Sequence, residues 1–175
     1  MAATWLKNLL SHPVFVPAAL FLLVVMSLGS ALTAQYGFGM EPCPLCLWQR
    51  WPYGIIALLA LAALGAARSG HIRFVALLVL LCALTLLAGG VIAFYHVGVE
   101  QHWWTSFLEG CAVNLGGTAT DFLKQIESTA AARCDQIPWS LFGISMAGYN
   151  AIISLTAAPL TALCALLIVR RNNGL

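Results

Sequence analysis

Apolar residues fill four long stretches of the chain, and polar residues gather in the segments between them. The stretches cover approximately residues 14–34, 47–67, 74–95 and 141–169. Each is long enough to cross about 30 Å of hydrocarbon as an α-helix that rises about 1.5 Å per residue. The pattern therefore predicts an all-α membrane protein, a four-transmembrane-helix bundle that forms a single integral membrane domain over residues 1–175.

Two polar loops, at about 35–46 and 96–140, join the ends of these helices on one side. In the second loop, the sequence "TATDFLKQIESTAAA" has Thr118 three residues before Asp121, as in a capping box, and places Phe122 and Ile126 on one helical face. We expect a short helix there. This sequence fits two locations for the helix, either on the membrane surface or packed against other loop residues.

Composition agrees with a lipid environment, because 61% of the 175 residues are apolar and only 8% are charged. The net charge of +2 is small and scattered, and no basic run or phosphate-binding glycine loop accompanies it. Nucleic acid is therefore not expected as a partner.

The basic residues are distributed unevenly between the two sides of the predicted bundle. Five of the eight lie at one set of helix ends, at Lys7, Arg68, Arg73, Arg170 and Arg171. The other three share the two remaining loops with all six acidic residues. Because cytoplasmic segments are enriched in lysine and arginine, both termini are predicted to be cytoplasmic and both loops to face outward.

The six cysteines fall into two classes by position. Cys82 and Cys164 lie inside apolar stretches, where a thiol usually acts as a small packing residue. The other four lie in the outward loops, at Cys43, Cys46, Cys111 and Cys134. An even number of cysteines facing an oxidising compartment predicts disulfides.

The two loop pairs differ in what a disulfide would do for them. Cys43 and Cys46 form a Cys-x-x-Cys pair, whose small ring constrains the unfolded chain little and is typical of a redox centre. A bridge between Cys111 and Cys134 would contribute roughly 3 to 3.5 kcal/mol in the chain-entropy model, so that pair can be structural or redox-active. Zinc is not expected, because 22 residues separate Cys111 from Cys134 and oxidation competes with metal binding.

Arg50 follows Cys46 by four residues, on the side where the charge rule disfavours arginine. In a helix with Pro44 at its first position, the two side chains share one face, and the guanidinium favours a Cys46 thiolate. An arginine that snorkels to lipid phosphate is the alternative. Pro52 would kink such a helix, so the helix start near Trp51 is also open.

His96, at the outer end of the third stretch, is a candidate to move a proton or to hydrogen-bond a carbonyl of a lipid-soluble electron acceptor. A polar cap at the membrane interface is the alternative for this residue.

The chain resembles the disulfide bond formation protein B (DsbB) family along essentially its whole length. The resemblance rests on "CPLCLWQR" (43–50), "YHVGVEQHWW" (95–104), Cys111 and "RCDQIPWSLFGISMAGYNA" (133–151). It implies a protein dithiol:quinone oxidoreductase of the bacterial inner membrane. Such an enzyme reoxidises a periplasmic DsbA-type thiol oxidase and passes the electrons to ubiquinone or menaquinone in the membrane.

The resemblance also implies roles for individual residues. Cys111 and Cys134 would meet the thiol oxidase, with Cys111 forming the mixed disulfide. A transient bridge from Cys43 to Cys134 would then free Cys46 to reduce the quinone, and Arg50 and His96 would lie beside the quinone.

Two other hypotheses fit the same sequence. A dedicated paralogue that serves one thiol oxidase and few substrates would look almost identical. A structural or assembly subunit of a respiratory complex, with two stabilising disulfides and no turnover, belongs to a different class.

Overall fold

The computed structural model describes residues 2–108, 111 and 132–174, which are largely helical. The elements in chain order are α1 (Ala2–Leu10), α2 (Phe15–Leu32) with a π-helical extension (Thr33–Gly37), α3 (Pro44–Trp48), α4 (Arg50–Arg68), α5 (Ile72–Glu100), β1 (Ser140–Leu141), β2 (Ile144–Ser145) and α6 (Met146–Asn172). The helix predicted over residues 118–132 falls outside the described part of the chain, apart from Ala132.

In the part of the chain that the structure describes, four helical segments are long and apolar enough to span a membrane: Phe15–Gly37, Pro44–Arg68, Ile72–Glu100 and Met146–Asn172. The predicted all-α, four-helix membrane architecture is confirmed.

The second and third spans extend beyond their predicted ends, at Leu47 and Tyr95. The second begins at Pro44, because Cys43 caps its first turn and proline suits the first helical position. The third continues to Glu100, because His96 and Glu100 are buried against protein and not exposed to water. The outer loop therefore starts one helical turn later than the sequence indicates.

The fourth span begins later than predicted, because a two-residue hairpin precedes it. Phe142 and Gly143 both have positive φ, 52° and 78°, which is the geometry of a tight turn between paired strands. Ser145 then ends the hairpin and caps α6, its Oγ accepting a hydrogen bond from the Gly148 N–H at 3.0 Å.

Helix α5 lies at the centre of the bundle, packed most extensively against α6 and next against α4, while α2 packs on α4. Glycines allow the close approach. A Cβ on Gly89 would meet the Pro52 ring at 3.0 Å, and one on Gly90 would meet the Leu155 side chain at 2.8 Å. Because lipid gives little hydrophobic drive between helices, such small residues are the usual way for membrane helices to pack.

The apolar core of the bundle is built from small and medium side chains of all four spans, with Val24, Ile56, Val79, Leu86 and Ile168 among its fully buried members. Cys82 and Cys164 belong to this core as free thiols. At one end of the bundle, Lys7, Arg170 and Arg171 line a common recess where α1 meets α6. The two cysteine pairs lie at the opposite end of the bundle, near the C-terminal end of α5.

Candidate functional site

The Cys-x-x-Cys pair is held by the first turn of α3. Cys43 is the N-cap of this helix, and its Sγ accepts a hydrogen bond from the Cys46 N–H at 3.2 Å. The Cys43 thiol in turn donates to the Cys46 sulfur at 2.8 Å. The Cys46 sulfur, and then burial, raise the pKa of the Cys43 thiol well above its usual range. In the reduced pair the Cys43 thiol is therefore the donor and the Cys46 sulfur the acceptor.

A break in the helix lies between this pair and Arg50. Pro52 lacks the N–H that would bond to the Trp48 carbonyl, so α3 ends at Trp48 and α4 begins at Arg50, with Gln49 as the turn. The sequence left open a helix start at Pro44 and one near Trp51. The structure has one helix that begins at Pro44 and a second that begins at Arg50. The backbone at Gln49 stays near-helical, with φ −67° and ψ −18°, so the two segments continue in nearly the same direction.

Cys46 and Arg50 line one pocket of about 340 Å³. Its walls are mostly apolar and come from α2, α4 and α6, with Leu28, Ala31 and Ile153 among them. A few polar groups converge on it, from Gln49, Tyr53, His96 and Asn150. The size and the lining are those of a small-molecule site.

Arg50 is held toward this pocket by the end of the first span. Its Nη1 donates a hydrogen bond to Gln35 Oε1 at 2.7 Å. Gln35 lies in the π-helical extension of α2, which places the amide within reach of α4. The arginine is thus fixed between two helices and faces the same pocket as Cys46.

His96 joins the dithiol to the neighbouring helices. The residue is 2% exposed, and its Nε2 lies 3.6 Å from the Cys43 sulfur. Its Nδ1 lies 2.7 Å from Gln49 Nε2. The sequence predicted an interfacial or acceptor-facing histidine, and the structure brings it into contact with the dithiol itself.

Glu100 lies one turn beyond His96 on α5, and its Oε1 is 3.9 Å from His96 Nε2. Both side chains are 3% exposed. The Ser145 hydroxyl donates to Glu100 Oε2 at 2.5 Å, so the residue that caps α6 also holds this buried carboxylate. A carboxylate with a histidine and a hydroxyl as partners gives the site an acceptor for protons.

The second cysteine pair, Cys111–Cys134, is a disulfide and packs directly against the first. Cys43, Leu45 and Val99 are buried in the same apolar cluster. Thiol exchange needs sulfurs close together, and this cluster supplies that arrangement.

The burial of the second pair differs from what thiol exchange leads one to expect. A disulfide that meets a protein partner should lie on an accessible loop, but Cys111 and Cys134 are both 0% exposed. The reason is packing, because the bridge covers the end of α5 at Val99. A reagent or partner must therefore displace covering residues before it reaches these sulfurs.

The structure thus brings all six predicted site residues to one end of the bundle. The Cys43, Cys46 and Cys111–Cys134 sulfurs share one cluster, His96 contacts Cys43, and Arg50 shares a pocket with Cys46.

Sequence reasoning missed six polar residues of the site: Gln35, Gln49, Tyr53, Glu100, Ser145 and Asn150. Two of them carried a usable signal. Gln49 precedes Arg50 within the cysteine motif, and Glu100 follows His96 by one helical turn. Ser145 and Asn150 come from the start of α6, and nothing local connects them to the cysteines.

Cys43, Cys46 and His96 also form a cluster whose ligand atoms all lie within 4.8 Å of one another. Two sulfurs and an imidazole nitrogen are the ligand types of a zinc site. A histidine binds a metal through a ring nitrogen that carries no proton, so the position of the His96 ring proton affects the metal affinity of this cluster.

Known proteins similar to this chain indicate its family. The family model of disulfide bond formation protein DsbB matches residues 14–164. The disulfide bond formation protein B of Aromatoleum aromaticum is 32% identical over 162 residues, covering 89% of this chain and 91% of that protein. That of Polaromonas naphthalenivorans is 30% identical over 171 residues, covering 89% and 95%.

An uncharacterized protein of Rickettsia prowazekii, RP370, is 26% identical over 138 residues, which are 75% of each chain. No solved structure gives a significant match. The family match takes in all six site residues and every membrane-spanning helix, in whole or in large part. This chain is therefore a membrane protein of the disulfide bond formation protein DsbB family.

Proposed function

We propose that this protein is a protein dithiol:quinone oxidoreductase of the bacterial inner membrane. It reoxidises a periplasmic DsbA-type thiol oxidase and passes the electrons to ubiquinone or menaquinone. The observation that carries the proposal is the position of Cys46, which shares an apolar pocket with Arg50 on one side and a buried cluster with the Cys111–Cys134 disulfide on the other.

The pocket suits a quinone head group. Its volume of about 340 Å³ lies within the usual range for small ligands, and its apolar walls come from helices that cross the membrane. Arg50, His96 and Asn150 offer the polar contacts that a carbonyl oxygen needs. A bound quinone would supply an acceptor for two electrons and two protons.

Two disulfide exchanges bring the electrons to Cys46. A reduced thiol oxidase attacks Cys111–Cys134 and leaves as its disulfide, so that Cys111 and Cys134 become thiols. These thiols then reduce a Cys43–Cys46 disulfide and return to their own disulfide. The reduced Cys43–Cys46 pair finally closes again and releases the two electrons and two protons that the quinone takes up.

The chain's own residues divide this work. Cys43 donates a hydrogen bond to the Cys46 sulfur, and Cys46 is the member of the pair that lines the pocket. Arg50 places a fixed positive charge on that pocket and stabilises negative charge there. His96 Nε2 lies 3.6 Å from the Cys43 sulfur, and Glu100 offers an acceptor for protons next to it.

Orientation follows from the charges at the helix ends. Lys7, Arg170 and Arg171 lie together at the end of the bundle opposite the cysteines. The positive-inside rule places that end in the cytoplasm and the cysteine pairs on the periplasmic side.

Quinone consumption by the purified protein tests the proposal. With a reduced DsbA-type thiol oxidase and ubiquinone, we expect one quinone to be consumed per dithiol oxidised, followed by the change in quinone absorbance. A structural subunit would consume none.

A Cys111→Ser variant separates the two halves of the reaction. It should lose electron entry from the thiol oxidase, and a small dithiol should still drive quinone reduction through Cys43 and Cys46. Equal rates with both donors in this variant would contradict the proposed order of exchange. A Cys164→Ser variant is the matched control, because that free thiol lies in the apolar core.

A further inference from the structure

A chain of hydrogen bonds runs from α4 through α6 to His96. The Asn150 amide oxygen accepts from the Tyr53 hydroxyl at 2.5 Å and from Ser154 Oγ at 3.0 Å. Asn150 Nδ2 donates to Gln49 Oε1 at 2.5 Å. The remaining amide nitrogen, Gln49 Nε2, lies 2.7 Å from His96 Nδ1. Tyr53, Asn150 and Gln49 are called the amide chain below.

The contacts of the His96 ring set the direction of these hydrogen bonds. An amide nitrogen only donates, so Gln49 donates to the lone pair of His96 Nδ1. On the other side of the ring, His96 Nε2 faces acceptors, with the Cys43 sulfur at 3.6 Å and Glu100 Oε1 at 3.9 Å. Both ring nitrogens therefore favour a proton on Nε2. The Tyr53 and Ser154 hydroxyls, which can donate or accept, complete the chain as donors to Asn150.

We propose that the amide chain holds His96 as the neutral tautomer with its proton on Nε2, which makes His96 a hydrogen-bond donor to the dithiol and weakens the affinity of the Cys43, Cys46 and His96 cluster for a soft metal ion. Gln49 and Asn150 are then positioning residues, which act on the dithiol through His96. The meaning of this arrangement for catalysis rests on the proposed function, whereas the tautomer and the metal affinity do not.

The same cluster would otherwise suit zinc or cadmium, since two thiolates and one imidazole lie within 4.8 Å of one another. A metal needs the lone pair of Nε2, and the ring proton must then move to Nδ1. Metal-bound histidines usually donate that second N–H to a carboxylate or carbonyl. Here Gln49 presents an amino group at Nδ1 instead, so two N–H groups would face each other.

Relief of that clash requires the whole amide chain to reverse. A flip of the Gln49 amide would point its amino group at the amino group of Asn150. Asn150 would then have to flip as well and present its amino group to Tyr53 and Ser154. Their hydroxyls would both have to turn from donors into acceptors. The amide chain, together with Ser154, therefore stabilises one tautomer of His96 through four side chains.

The ¹⁵N resonances of the histidine ring test the tautomer directly, without quinone or partner. In ¹⁵N-histidine-labelled protein in detergent, at a pH where His96 is neutral, we expect the His96 signals of an Nε2-protonated ring. His96→Gln assigns them by their loss. His12 is an internal reference, because the Val14 and Phe15 N–H groups donate to its Nδ1. An Nδ1-protonated His96 would overturn the proposal.

Gln49→Glu tests the metal affinity. Glutamate keeps an acceptor for Asn150 and presents a carboxylate oxygen to Nδ1, which is the partner that metal-bound histidines have. We expect the reduced variant to bind Cd²⁺ about 10- to 100-fold more tightly than the reduced wild type, measured by thiolate-to-cadmium absorption. Addition of Cys43→Ser should abolish the gain.

Gln101→Glu is the matched control, since it adds the same charge at an exposed position just after α5. It should leave Cd²⁺ affinity unchanged. Wild-type affinity equal to that of Gln49→Glu would overturn the proposal, even if quinone reduction were normal. Should Gln49→Glu fail to fold, the wild-type His96 tautomer decides the question alone.

Discussion

Helix α5 carries two buried regions that differ in what surrounds them. In its first half, Val79, Cys82 and Leu86 pack among apolar side chains of the other spans. At its outer end, His96 and Glu100 are also buried, but their neighbours are sulfurs, amides and a hydroxyl. Burial is nearly equal in the two regions. The two regions differ in chemistry because their residues have different neighbouring side chains. Burial alone therefore does not create a functional site.

The same contrast separates two cysteines. Cys82 is a free thiol that lies within the apolar core of the bundle. Cys46 has a second thiol at 2.8 Å and an arginine on the same pocket. Among the described residues, every buried side-chain nitrogen and oxygen has a hydrogen-bond partner, so the polar region is as complete in its bonding as the core is in its packing.

Removing the reactive thiol should have the largest effect. Cys46→Ser leaves the pocket without a sulfur, so quinone reduction should fall by about 1,000-fold or more. Cys82→Ser should retain turnover, because that thiol is not on the electron route. Both rates come from the quinone absorbance assay. Turnover retained in Cys46→Ser would remove the basis of the mechanism.

A cavity in the apolar region should change stability and leave the chemistry intact. Leu86 is 1% exposed, so Leu86→Ala should lower the free energy of unfolding by about 2–5 kcal/mol. Folded molecules of this variant should keep their turnover. Thermal unfolding in detergent measures the effect.

Leu84→Ala is the control for that cavity, because Leu84 is 55% exposed on the same helix. Equal destabilisation by the two substitutions would mean that the region around Leu86 is not packed as described.

Loss of the fixed charge should weaken the use of quinone. We expect Arg50→Ala to raise the apparent KM for quinone about tenfold, which corresponds to about 1.4 kcal/mol. The KM for the thiol oxidase should stay the same, because Arg50 faces the pocket and not the Cys111–Cys134 bridge. Arg68→Ala removes a charge at the other end of α4 and serves as the control.

An unchanged quinone KM in Arg50→Ala would instead favour an arginine that snorkels to lipid phosphate. Steady-state rates at several quinone concentrations separate the two interpretations.

The ion pair beside Cys134 should have the smallest effect. Arg133 donates to both carboxylate oxygens of Asp135 and holds the pKa of Asp135 below its usual range. Asp135→Asn should cost about 0.2–1 kcal/mol of stability near neutral pH, because the pair is partly exposed. A group with a lowered pKa stabilises the fold above its unfolded pKa, so this difference should disappear as the pH falls below about 4.

Unfolding measured at several pH values checks that prediction. Glu41→Gln, an exposed acid in the first loop, is the control. A cost for Asp135→Asn that persists in acid would indicate a role other than the ion pair.

Much of the architecture is determined by local sequence. Long apolar stretches specify four helices, because only a helix satisfies its own backbone hydrogen bonds in lipid. The spacing of Cys43, Cys46 and Arg50 places them within two helical turns of one another, so their proximity was predictable from three positions. Small residues such as Gly89 and Gly90 are likewise readable in a sequence as positions where membrane helices can pack closely.

The tertiary structure decided what those residues meet. His96 contacts Gln49, 47 residues away, and Gln49 contacts Asn150, 101 residues away. Burial of Glu100 and of the Cys111–Cys134 bridge follows from the same meeting of helices. A hydrophobic pattern records only whether a residue prefers water or lipid. It cannot specify hydrogen-bond partners on other helices, because these depend on how α4, α5 and α6 pack against one another.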